Sequence, residues 1–102
     1  MYARLVIFKL ASANGSTIRA LAEEFDPLYR AQRGFRQLYV LADEASGEYG
    51  SFSVWDSSED AEAANAAIAP QLQRALADRL SAAPQRWFFE VVEPDRGETS
   101  PP

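Results

Sequence analysis

Branched and aromatic residues fill Tyr2 to Leu10, and the polar cluster Ser12, Asn14, Gly15 and Ser16 follows them, which predicts a strand and then a turn. From Ile18 the period changes. Ile18, Leu21, Ala22, Phe25, Leu28 and Tyr29 recur at steps of three and four, the stripe of one helix, with Ser16 or Thr17 as its N-cap and a kink or restart expected at Pro27. Gly34 closes that helix, and Phe35 to Ala42 alternates as a second strand. A polar loop over Asp43 to Gly47 joins it to a third strand, Glu48 to Trp55, so the two should form a hairpin. Asp56 followed by Glu59 predicts a capping box for a second helix, kinked or broken at Pro70 and continued by Leu72, Leu76 and Leu80. Gln85 to Glu93 reads as a fourth strand. The β-α-β-β-α-β order is the split arrangement of ferredoxin-like folds. The fold class is therefore α+β with a four-stranded antiparallel sheet, in one domain over residues 1–94, and residues 95–102 are expected to be a disordered tail.

Side-chain alternation divides the hairpin into two faces. Centring its loop sets Ala42 opposite Glu48, which gathers Leu38, Val40, Phe52 and Val54 on one face and Tyr39, Tyr49, Ser51, Ser53 and Trp55 on the other. Two helices cover only one side of a four-stranded sheet. The apolar face therefore needs another cover, and a homodimer packed sheet to sheet through Leu38, Val40, Phe52 and Val54 supplies it. The mixed face then looks toward the helices, where Tyr39, Ser51, Ser53 and Trp55 are the candidate ligand-binding residues. Trp55 would be a flat wall for stacking and the serine hydroxyls would donate to a ligand oxygen. In the alternative reading Trp55 seals the core between strand and helix, and the serines are small inward groups.

Composition narrows the chemistry. The chain has 102 residues and neither histidine nor cysteine, which removes Ser-His-Asp and Cys-His nucleophiles, His or Cys zinc sites and disulfides. With those ligands missing, no haem, flavin or firmly held metal is expected. The formal charge of −5 disfavours nucleic acid, and although the strand order is shared with RNA-recognition modules, Ser51 stands where such a module needs a stacking aromatic. The longest apolar run, Leu5 to Phe8, is far short of the roughly 20 residues of a membrane span, so a cytoplasmic protein with no membrane partner is expected. No Asp or Glu falls on the mixed face to act as a base, while Arg74 or Arg79 of the second helix would stabilise an anion.

Gly34-Phe35 at the start of the second strand and the run Phe52-Ser53-Val54-Trp55-Asp56-Ser57-Ser58-Glu59 give a chain that resembles the antibiotic biosynthesis monooxygenase family over about residues 2–93. The resemblance implies a dimeric α/β barrel in which two ferredoxin-like subunits back their sheets together and each keeps a pocket between its own sheet and helices. It also implies either cofactor-independent oxygenation of a flat aromatic compound or haem degradation. Trp55 matches the pocket tryptophan of the polyketide oxygenases. Ser51 stands where that pattern has an asparagine, Ala61 where it has a tyrosine, and the histidine iron ligand of the haem-degrading members has no counterpart. The function implied is small-molecule binding, with oxygenation as its enzymatic form; the alternative is a non-catalytic ligand-binding or interaction module on the same fold.

Overall fold

In the computed structural model, which describes residues 1–11 and 15–94, the chain runs β1 (Tyr2–Lys9), α1 (Gly15–Arg30), β2 (Phe35–Asp43), β3 (Glu48–Trp55), α2 (Ser58–Leu76) and β4 (Gln85–Glu90). The strands form one antiparallel sheet in the order β2-β3-β1-β4, the ferredoxin-like arrangement. Both helices lie on one side. Their apolar stripes meet the sheet in a cluster of Phe25, Tyr29, Trp55, Ala61, Ala64 and Ile68, and a second cluster joins Leu10, Ile18, Tyr49 and Leu76. No helix among the described residues is long and apolar enough to cross a membrane.

Several boundaries differ from those the sequence predicts. α1 opens at Gly15, so Ser16 and Thr17 lie inside its first turn instead of capping it. Ser12, Asn14 and the proposed tail at 95–102 fall outside the described residues. Pro27 and Pro70 interrupt neither helix. Each removes a single N–H, and the ladder resumes at once, with the Ala31 N–H donating to the Pro27 carbonyl at 3.1 Å. The cap of α2 is Ser57, whose hydroxyl accepts from the Asp60 N–H at 3.1 Å. Asp56 is unavailable for that role because its own N–H still reaches across to the Gly34 carbonyl at 2.8 Å and its carboxylate accepts from Arg36. Gly34 itself has φ +79, and a Cβ there would fall on the Asp60 carboxylate. α2 stops at Leu76, and Leu80 instead bridges to Leu10. β4 stops at Glu90, short of the expected Glu93.

The register of the hairpin is the correction with most consequence. Asp43 faces Glu48 and Ala42 faces Tyr49, which leaves a four-residue loop over 44–47 that turns through Gly47 at φ +74. At the other end Phe35 faces Trp55, but Gln37 already faces Val54, so Arg36 is an extra, bulged residue. The expected pairing holds at Phe35–Trp55 and is one residue out beyond it, because strict alternation counts Arg36 as an ordinary strand position. Leu38 and Val40 thus share the helix-facing side with Ser53 and Ser51, whereas Tyr39 and Leu41 share the outer side with Phe52 and Gly50. The apolar outer face is therefore not Leu38, Val40, Phe52 and Val54. It carries Tyr39, Leu41, Phe52 and Val54, continued across β1 and β4 by Leu5, Trp87 and Phe89.

Candidate functional site

Two small cavities lie between the sheet and the helices. One, of about 40 Å³, sits under α2 against β1 and is bordered by Arg4, Tyr29, Trp55, Asn65, Gln73 and Arg86 among others. The second, of about 50 Å³, sits under α1 against β2 and β3 and is bordered by Phe25, Leu38, Val40, Tyr49 and Ser51 among others. Phe8, Tyr29 and Leu72 border both and form the partition between them. These are modest spaces beside the roughly 300–1,000 Å³ of small-molecule sites, so an occupant must displace side chains or project partly through the mouth.

Three of the four candidate residues from the sequence lie on this side of the sheet. Trp55 is 1 % exposed, edge-on to Phe35 at 5.6 Å between ring centroids and tilted against Tyr29 at 6.2 Å, and it borders the first cavity. Its indole N–H donates to the Ser53 hydroxyl at 3.0 Å. Ser53 therefore acts on the ring orientation of Trp55, and Ser51 borders the second cavity. Tyr39 is not among them: it is 55 % exposed and points to the outer side, for the register reason given above. Arg74 and Arg79, the cations expected to meet an anion, are exposed on the far side of their segment.

The cation that does reach the interior is Arg4, on the helix-facing side of β1 between Tyr2 and Val6 and only 5 % exposed. Its guanidinium lies 5.9 Å from the centre of the Phe88 ring, and its Nε has no hydrogen-bond partner. Burial pushes Arg4 below the ordinary arginine range; the neighbouring Tyr29 opposes this by charge and by a hydrogen bond, while Arg86 adds to it. No carboxylate borders either cavity. The sequence carried one signal for Arg4: an arginine at an even step among Tyr2, Val6 and Phe8, where a half-buried strand places its inward residues. Tyr29 sat in the helical stripe as ordinary core.

Other proteins share this architecture. Superposition on SnoaB, a cofactor-independent oxygenase from Streptomyces nogalater, gives a TM-score of 0.72 at 16% identity over 91% of this chain and 94% of that one. A candidate antibiotic biosynthesis monooxygenase from Caulobacter crescentus gives 0.75 at 12% identity over 90% of each chain. The chain has the fold of the antibiotic biosynthesis monooxygenases. A MhuD variant holding two manganese protoporphyrin IX molecules per active site also matches, at a TM-score of 0.71 and 16% identity over 92% of this chain and 97% of that one. No family model matches the sequence, and no curated protein matches it. A porphyrin does not fit the residues present here. The chain has no histidine or cysteine to offer an iron, no group of three metal-ligating side chains occurs among the described residues, and the cavities hold a few atoms rather than a macrocycle.

Proposed function

We propose that this chain is a cytoplasmic, homodimeric small-molecule-binding protein that works between its sheet and helices in the manner of the cofactor-independent antibiotic biosynthesis monooxygenases, on a flat, partly apolar, ionisable compound. The observation that carries the reading is Trp55. On a fold shared with SnoaB, it stands at a cavity wall with its ring orientation fixed by Ser53 and with a buried guanidinium beside it. Oxygenation without a cofactor needs a substrate that loses a proton and gives an electron to dioxygen, so the protein's part is to bind, to favour the anion and to exclude water. Trp55 and Tyr29 supply the apolar walls and Ser51 a hydroxyl on the neighbouring side.

The missing base favours a second reading. With neither carboxylate nor imidazole bordering either of these two cavities, the site suits binding without turnover as readily as oxygenation of a substrate acidic enough to ionise unaided. Oxygen uptake with anthrone, read beside quenching of tryptophan fluorescence by the same compound, separates the two. Uptake above the spontaneous rate, lost on Trp55→Ala in a chain that still folds, supports oxygenation. Quenching without uptake leaves the binding module, and neither response removes both readings.

A further inference from the structure

The helix side of the sheet buries a cation that nothing in the described chain neutralises. Arg4 is 5 % exposed on the central strand β1, and the cavity it borders is also bordered by Arg86, which faces Val6 from β4. The polar residues completing that wall are Tyr29, Asn65 and Gln73; none is an acid. The three ion pairs among the described residues, Arg30–Asp26, Arg33–Asp60 and Arg36–Asp56, all lie elsewhere. Tyr29 engages part of the guanidinium and the Phe88 ring lies against it, while Nε remains unpaired. A buried polar hydrogen without an acceptor is a cost that folded chains rarely carry. An arginine offers a flat edge made of Nε and one Nη, spaced to receive both oxygens of a carboxylate. Nε, one of the two donors on that edge, is the atom of Arg4 left without a partner.

We propose that Arg4 is the recognition residue for a carboxylate on the ligand, and that the compound held between sheet and helices is a flat aromatic acid. This rests on the reading of the space between sheet and helices as a small-molecule site. A cavity of about 40 Å³ admits a group of a few atoms, so the acid head sits against Arg4 while the aromatic body lies toward the mouth. Arg86, exposed at the start of β4, adds a second positive charge at the entrance and draws the anion inward. The chain as a whole is acidic at −5, so a guanidinium on an interior wall with a second at its entrance selects for position rather than for bulk charge.

The test compares 2-naphthoate with 2-naphthamide, which match in shape and differ in charge, by calorimetric titration of the full chain and of Arg4→Gln, Arg4→Lys and Arg86→Gln. The wild-type chain should hold the acid at least about ten-fold tighter than the amide, since a charge-assisted two-point contact outweighs a neutral one. Arg4→Gln should remove that preference with little change for the amide, Arg4→Lys should restore part of it, and Arg86→Gln should weaken the acid by a smaller factor. If Arg4→Gln does not fold, a part-lowered preference in Arg4→Lys decides the matter. Equal binding of the two probes by the wild-type chain, or a preference that survives Arg4→Gln and Arg4→Lys unchanged, overturns the assignment while leaving a small-molecule site in place. Binding of neither probe overturns both.

Discussion

Arg4 is a residue whose cost in the empty protein can be measured apart from any ligand. Folding lowers its affinity for the proton, so the charged form subtracts from stability at every pH below its titration range, and the penalty is relieved only as the pH rises through that range. Between about pH 5 and 9 an arginine remains charged, and the penalty is constant. Arg4→Met keeps most of the volume and removes the charge. It should raise the stability of the empty chain by about 1 kcal/mol, equivalent to roughly 4–8 °C in Tm, with the same gain at pH 6 and pH 9. Thermal melts at the two pH values check this, and a lowered Tm would show that contacts with Tyr29 and Phe88 outweigh the burial of the charge. Trp55 shows the complementary case, a residue whose place the sequence does disclose. Its position at the end of an alternating strand puts it at the junction with α2, and the structure finds it there, buried and tied to Ser53 two residues back, on the same face of the strand.

At the level of the elements, the start of α2 gives a direct contrast between two neighbouring side chains. Ser57→Ala should lower stability by about 1 kcal/mol, because the Asp60 N–H loses its acceptor, while Asp56→Ala should cost less than that, since its partner Arg36 is half exposed and the pair is screened by water. Urea denaturation of the two variants tests the assignment, and the opposite order would return the cap to Asp56. The elements themselves were readable because each is announced by a change of period: two in β1, three to four in α1, two again in β2 and β3. What escaped was parity. Alternation along β2 says that Leu38 and Tyr39 face opposite ways, but which of them faces the helices depends on Arg36, and a bulge leaves no mark in residue type. The partner pattern on β3 could not correct it, since both registers pair apolar residues with something apolar or small. The same loss of parity took Tyr39 out of the site. Arg4 was overlooked for another reason: its value as a site residue lies in the absence of an acid nearby in space, and β1 alone does not show which residues α1, α2 and β4 bring to it.

The whole molecule leaves one side of its sheet uncovered. Tyr39, Trp87 and Phe89 are 55 %, 40 % and 50 % exposed there, with Leu41 beside them, an apolar surface of the kind that soluble monomers avoid. A second copy packed against it would close the surface on both chains through a two-fold axis. Sedimentation equilibrium at micromolar concentration should then give twice the 11.3 kDa of one chain. Leu41→Asp should reduce that to a folded monomer, whereas Val40→Asp should act on the cavity under α1 and leave the dimer intact. The reverse result would exchange the two faces of β2. The bulge also bears on how chains of this shape can diverge. Phe35 keeps its partner Trp55 and Gln37 keeps Val54 whether or not a residue stands between them, so removal of Arg36 would leave every other pair of the hairpin where it is. In terms of descent, β2 tolerates a change of length by one codon without any exchange between its inner and outer residues, and a lineage could gain or lose that codon while its neighbours stay under the same selection. A gap placed at Arg36 therefore keeps Leu38, Tyr39 and Val40 in step with their counterparts in a shorter relative, and a gap placed anywhere in the loop at 44–47 would set an inner residue against an outer one.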